Sequence, residues 1–412
     1  MTLISRPIMN KLLLFIPGIL LLAALEVAKV YFIMPFPGSQ ESETITPAYW
    51  IHQNIFWLRI VGGMLLLWPT YRLLAERGPK LRKALVLVLL AGYGAVFYLF
   101  NFQFLAEKIF HQPRTVRLAP MKANKIPGHK LVLGLLLNGQ ARAYPIQLIG
   151  YHHQVRDTVG GEPVMITYCT VCRTGRVFRP LVNGRPETFR LVGMDHFNAM
   201  FEDRTTGSWW RQVNGEAVVG PLKGQTLPDL PAEHMTLAAW AEQHPETLVL
   251  QPDTTFNKDY KGMDPFDKGK SKGELTRRDS LSWKRKSWVV GVVQNRAARA
   301  YDWNRLLDRK ITNDRLGGRP LVLMVAADSA SFHVWNREVD GRTLTFAPAG
   351  TDTFRDAETG SLWNRQGVCM EGELVGRKLT ALSASQEFWH SWQTFHPETS
   401  RFEGAKTPPA HE

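Results

Sequence analysis

The chain has 412 residues, 44% of them apolar and 21% charged, which is an ordinary globular balance and enough for two or three domains with separate cores. A formal net charge of +13 raises the question of nucleic acid, but Lys and Arg are dispersed and never form a run of five. No nucleic-acid partner is expected. The basic surface is read instead as facing anionic lipid headgroups.

Three apolar segments open the chain, at residues 12–34, 55–74 and 84–105, each near the ~20 residues that span a bilayer. The first follows Arg6 and Lys11 as a signal peptide would. It outlasts a usual signal core, however, and two further segments follow it, so it reads as a retained anchor. Glu26 and Lys29 lie one turn apart near its far end, placed to pair or to snorkel to the interface. The loop at 35–54 has no Lys or Arg, whereas the next loop holds Arg72, Arg77, Lys80, Arg82 and Lys83. The positive loop is therefore expected in the cytoplasm. That puts everything after residue 105 outside the cytoplasmic membrane, facing periplasm or cell exterior.

The remainder repeats itself. Ala141-Arg142-Ala143-Tyr144 returns as Ala298-Arg299-Ala300-Tyr301, and Asp157-x-Val159-Gly160-Gly161-x-Pro163 returns as Asp314-x-Leu316-Gly317-Gly318-x-Pro320. Thr206-Gly207-Ser208-x-Trp210 matches Thr359-Gly360-Ser361-x-Trp363. Each half closes on Trp-x-x-x-His-Pro-Glu-Thr, from Trp240 and from Trp392. Two tandem copies of one domain are predicted.

Within a copy, short apolar runs such as 131–137 and 164–168 have strand length, and Asn183-Gly184 and Asp340-Gly341 mark hairpins. Helices are predicted only at 145–150, 236–244 and 385–395. The fold class is thus three N-terminal transmembrane helices followed by a β-rich (α+β) soluble part made of two pseudo-symmetric repeats. The expected divisions are an anchor at 1–110, a first repeat at 111–250 and an irregular linker at 251–285. A second, degenerate repeat follows at 286–402, then a tail at 403–412.

Chemistry concentrates at Cys169-x-x-Cys172, where two of the chain's three cysteines follow the strand Val164–Tyr168. A thioredoxin-like site would open a helix there, but Arg173-Thr174-Gly175 and a hairpin strand follow instead. A Cys-x-x-Cys turn between strands suits one metal ion, zinc or copper. His153, His152 and His196 are the candidate further ligands. A second reading is a metal-free dithiol, with Cys169 attacking and Cys172 resolving. The third reading is two packed thiols or a structural disulfide, although bridging so short a loop is awkward and removes little unfolded-state entropy. In the second copy Ala326, Ser329, Arg309 and Lys310 stand where the first has Cys169, Cys172, His152 and His153, so the site is expected in the first copy alone. Cys369 is expected to be a packed thiol.

Together, Asn138-Gly139-x-Ala141-Arg142-Ala143-Tyr144-Pro145, His153 to Asp157, Val159-Gly160-Gly161-x-Pro163, Thr167-Tyr168-Cys169-x-x-Cys172 and Asp203-Arg204-x-Thr206-Gly207-Ser208-x-Trp210-x-Gln212 resemble a bacterial and archaeal family known as a domain of unknown function. The resemblance covers nearly all of residues 120–400. It departs where that family has Phe-Asp-Arg and this chain has Phe178-Arg179-Pro180. It implies a fold grouping and no reaction. The residues themselves point to a membrane-anchored metal-binding protein or oxidoreductase. The rival expectations are a thiol–disulfide enzyme and a non-enzymatic envelope module whose Trp-rich surface binds a protein or glycan.

Overall fold

The computed structural model describes residues 6–404; the last eight residues of the expected tail lie outside the described residues. The chain divides into two compact units. One holds everything described up to His111 together with Thr188–Arg211 and Glu216–Gln225, and the other holds the rest.

In the first unit, α1 (Arg6–Tyr31), α2 (Ile45–Ala75) and α3 (Lys80–Tyr98) follow the apolar segments, and α3 runs on through a π-helical turn at Leu99–Gln103. Phe15, Ile19, Leu22, Leu66, Leu73 and Val86 form their shared core. Two stretches, Lys11–Tyr31 and Lys80–Gln103, are long and apolar enough to cross a membrane. The expected third is less apolar, because α2 interrupts its apolar run with Arg59, Trp68, Pro69 and Tyr71. Arg59 also revises the expected Glu26–Lys29 pair. Its Nε lies 2.6 Å from the Glu26 carboxylate, whereas Lys29 Nζ stays 4.0 Å from it and bonds Asn101. A four-stranded antiparallel sheet of Phe189–Asp195, Asn198–Asp203, Trp209–Arg211 and Ala217–Val219 completes this unit. It joins the helices through a bond from the Met194 N–H to the Ile33 carbonyl at 2.7 Å.

The second unit is β-rich. The strands Leu131–Leu137 and Gln140–Pro145 pair antiparallel, with Glu233–Thr236 on one side and Leu248–Leu250 in parallel on the other. The strands Trp288–Gln294 and Ala297–Asp302 pair the same way, flanked by Ala384–Phe388 and, in parallel, by Ser400–Arg401. A second sheet carries Gln154–Val159, Glu162–Cys169 and Thr174–Phe178. Another carries Ile311–Leu316, Arg319–Val325 and Phe332–Asn336.

Side-chain details recur between these regions. Tyr144 donates to Asp157 at 2.8 Å, and Tyr301 to Asp314 at 2.6 Å. The indole N–H of Trp240 reaches Thr247, and that of Trp392 reaches Thr399, both at 2.8 Å. In the first unit Trp210 donates to Asp203 at 2.9 Å, as Trp363 does to Asp356 in the second unit. Gly134 and Gly291 face the rings of Trp240 and Trp392 so closely that a Cβ would lie 2.3 and 2.1 Å from ring carbons. Only glycine leaves room for the indole at either place.

The Asn183-Gly184 and Asp340-Gly341 turns are hairpins, with φ of 50° and 75° in one and 49° and 76° in the other, as primed turns require. Their ladders are only two residues long on each side, shorter than the sequence suggests. Helices are more numerous than expected. Trp303–Arg309 and Asn257–Met263 join Ile146–His152, Leu237–Gln243 and Trp389–Phe395. Trp303–Arg309 is capped by Asp302, whose side chain accepts from the Arg305 N–H. The segment expected to be an irregular linker therefore contains a helix of its own, and Tyr260 within it is buried.

Candidate functional site: the Cys169–Cys172 turn

The strand Glu162–Cys169 is buried from Val164 onward, and the next strand begins at Thr174, opposite Cys169. Four residues make the turn. Arg173 closes it at φ 59°, a left-handed conformation held by a fully buried guanidinium. Neither cysteine is in a disulfide, and both are 0% exposed.

Cys172 is hydrogen-bonded to Cys169 and to Ser391, with the Lys286 ammonium nearby. Burial pushes the Cys172 thiol well above its usual range; Ser391 and Lys286 act against that rise. Ser391 in turn donates to Glu387 at 3.0 Å. Glu387 is completely buried, also accepts from Ser385 at 2.8 Å, and pairs with Arg176 at 3.2 Å. Burial raises its carboxyl above the ordinary range, while Arg176 pulls it back. A continuous path thus runs from Cys169 through Cys172 and Ser391 to a buried carboxyl group.

Lys286 closes the other side. Its Nζ donates to the carbonyls of Val171 and Leu275, each at 2.6 Å, and lies 3.2 Å from His390 Nε2. Burial lowers this lysine to about 8, and the two thiols draw it upward. His390, lowered to about 3 by burial and then by Lys286, also contacts the Val171 carbonyl at 3.1 Å. The turn's amide framework is fixed as well, since the Phe388 N–H donates to the Cys172 carbonyl at 2.9 Å.

The predicted histidines are dispersed among other roles. His153 caps the helix Ile146–His152 at φ 61°, and its carbonyl accepts from the Tyr168 N–H at 3.0 Å. Its Nδ1 lies 3.1 Å from the Tyr151 carbonyl, and burial lowers it to about 4, so the ring is neutral at pH 7. His152 Nε2 meets the Tyr260 hydroxyl at 2.6 Å. His196 belongs to the first unit, where Nδ1 contacts Asp195 at 2.7 Å and Nε2 faces Glu43 at 3.5 Å. Among the described residues, no group of three or more His, Cys, Asp or Glu is placed to hold a metal ion.

Lys286, Glu387, His390 and Ser391 were not anticipated from the sequence. A signal for three of them exists. At the spacing that aligns Trp240 with Trp392, Glu387, His390 and Ser391 stand where the first region has Met235, Ala238 and Ala239. Buried polar residues replacing apolar ones mark a site as surely as cysteines do.

A family model described as "Protein of unknown function (DUF3179)" matches residues 110–399. The chain belongs to this family. The match spans both regions and every residue of the turn and its surroundings. No curated protein and no solved structure matches the chain.

Proposed function

We propose that this is a membrane-anchored dithiol protein that exchanges with disulfides through Cys172 and Cys169. The observation that carries this reading is the path from the Cys172 thiol through Ser391 to the buried Glu387 carboxylate. In the forward step the Cys172 proton passes by way of Ser391 to Glu387, and the Cys172 sulfur attacks one sulfur of the substrate disulfide. The departing thiolate takes up a proton. Cys169 then attacks Cys172 in the mixed disulfide, closing the Cys169–Cys172 bond and releasing the second substrate thiol. One substrate disulfide becomes two thiols while the protein's two thiols become one disulfide. The order of attack is the reverse of that expected from sequence, because Cys172 is the thiol next to Ser391 and so to the route toward Glu387. Bridging so short a turn strains the disulfide and makes it readily reducible, which favours cycling over a permanent staple.

The anchor is proposed to cross the membrane three times. Met64, Leu65 and Leu67 of α2 are as exposed as Leu20 and Leu21 of α1, at 58–73%, and water gives such faces no stable environment. The loop charges support a β-rich part facing away from the cytoplasm. The recurring Tyr–Asp, Trp–Asp, Trp–Thr and Gly–Trp contacts support two copies of one domain, of which only the first carries the dithiol.

A zinc or copper site is the second reading. The adjoining thiols and the neutral His153 imidazole, whose backbone bonds the residue before Cys169, favour it. Equilibration of the purified full chain with glutathione redox buffers, followed by thiol alkylation and mass spectrometry, separates the two. A reversible two-electron transition confined to the peptide bearing Cys169 and Cys172 is expected. Stoichiometric metal in the purified protein together with no disulfide at any potential would overturn the dithiol reading in favour of the metal.

A further inference from the structure

A cavity of about 580 Å³ lies within the second unit, lined by Arg173, Arg278, Trp288 and Gln386 among others. Its volume is that of a small-molecule site. The lining brings two cations onto one aromatic ring. The Arg173 guanidinium lies 3.7 Å from the Trp288 ring centroid, and that of Arg278 lies 4.2 Å from it. Stacking on an indole orients both forks but leaves their like charges close together.

The hydrogen-bond ledger of this lining is one-sided. Arg173 Nε donates to Gln386 at 2.8 Å and Arg278 Nη2 to Asn304 at 2.6 Å. Yet Arg173 Nη2, Arg278 Nε, Trp288 Nε1 and Gln386 Nε2 are all buried donors without a partner among the described residues. Arg173 is 1% exposed. Against these four donors, the lining offers one buried carboxylate oxygen in the same condition, Asp267 Oδ1. Its companion oxygen already accepts from the Leu131 N–H at 3.1 Å. Buried donors are rarely left unmatched in a folded protein. What the cavity lacks is acceptors. Trp303 and Leu307 supply an apolar wall in the same space.

We infer that this cavity binds a small organic acid, its carboxylate held by Arg173 and Arg278 across Trp288 and its apolar body laid against Trp303 and Leu307. A carboxylate provides the acceptor oxygens in the planar arrangement that a guanidinium fork matches. The site draws Arg173 from the first β region, Arg278 from the segment between the regions, and Trp288, Trp303 and Gln386 from the second. It stands whether or not the neighbouring thiols exchange with disulfides.

The test is calorimetric titration of the full chain in lipid nanodiscs with acetate, benzoate, 4-phenylbutyrate and octanoate, each beside its uncharged amide. At least one acid should bind saturably near one equivalent, about tenfold or more tighter than its amide, the scale of one charge-assisted hydrogen bond. Arg278→Gln, at a partly buried position, should lose about that factor while keeping its circular dichroism and melting temperature. Arg173→Lys should weaken binding too, since an ammonium keeps the charge without the fork. Failure of every acid to bind, equal affinity for acid and amide, or undiminished binding in a folded Arg278→Gln overturns the inference. The acid–amide comparison on the unmodified protein decides it even if a variant does not fold.

Discussion

The turn after Glu162–Cys169 and the turn after Arg319–Val325 hold their strands in one register and are tied down by different means. Ile166 faces Val177 in the first, and Leu323 faces Val334 in the second, at the same spacing along the chain. The second turn is built around its own Asp328, with Thr236 and Asp352 adding ties from outside at 2.9 and 2.6 Å. Asp328 accepts from the N–H groups of Ala330 and Ser331 at 2.9 and 2.8 Å and from the Ser331 hydroxyl at 2.6 Å. The first has Val171 in that place and takes its ties from Lys286 and His390, more than a hundred residues downstream. A loop that needs only to reverse the chain is stabilised by its own side chains. The turn that carries the two thiols lacks this internal aspartate, and the lysine that ties it, Lys286, also lies near both sulfurs.

The comparison breaks most completely if the thiols prove dispensable. Cys172→Ser or Cys169→Ser should abolish the reversible oxidation outright while the melting temperature stays close to that of the parent, because Ala326 and Ser329 occupy the corresponding turn. Alkylation and a thermal melt measure both. A retained two-electron transition in either variant would place the chemistry elsewhere.

The next effect tests the downstream groups. Glu387→Gln keeps the shape but removes the proton acceptor, and should slow exchange with a small disulfide by about 10²-fold. In the parent, Glu387 must be ionised to accept a proton. Its carboxyl is raised by burial, so exchange should fall as pH drops through a value above the ordinary carboxylate range. The variant should lack that limb of the pH–rate profile. An unchanged profile would leave Glu387 a purely structural partner of Arg176.

Trp210→Phe and Trp363→Phe test the proposed common scaffold. Each leaves the Asp203 or Asp356 carboxylate short of one donor, at a cost of roughly 1–3 kcal/mol. Denaturant titration should give similar losses for the two. A large loss in one with none in the other would argue against a common architecture.

The smallest effect concerns the paired left-handed positions. Lys310 at φ 63° and His153 at φ 61° both end a short helix and accept a strand N–H through their carbonyls. Lys310→Gly should stabilise by about 0.5–1 kcal/mol by removing side-chain strain, whereas His153→Gly should not, since it also deletes a buried imidazole. Thermal melts of the two variants distinguish them.

Much of this architecture is written locally. Gly-Gly before Pro163 and Pro320, the Asn183-Gly184 and Asp340-Gly341 turns, and the alternation of short apolar strands are legible because backbone conformation and burial act over a few residues. Boundaries were less so: the helix expected at 145–150 runs from Ile146 to His152, and the helix Trp303–Arg309 after Asp302 was not expected. The candidate site was half legible. Cysteines announce themselves, and comparing the halves for what the second had lost pointed to them. The polar residues Glu387, His390 and Ser391, standing where the first region has Met235, Ala238 and Ala239, carry equal information. Lys286 has no such signature, because its role depends on a segment whose composition suggested only a connection. The partners of the histidines were not legible either: His152 meets the Tyr260 hydroxyl and His153 the Tyr151 carbonyl, contacts that nearness to the cysteines in sequence does not suggest.

The tie between the Cys172 turn and Ser391 spans more than two hundred residues, and this sets an order of events during synthesis. Both cysteines leave the ribosome long before the helix Trp389–Phe395 exists to cover them. For most of translation the thiols therefore stand open to any oxidant or thiol partner in their compartment. Enclosure comes only with the helix Trp389–Phe395, so a chain truncated before Trp389 is expected to leave both thiols open to continued exchange with its surroundings.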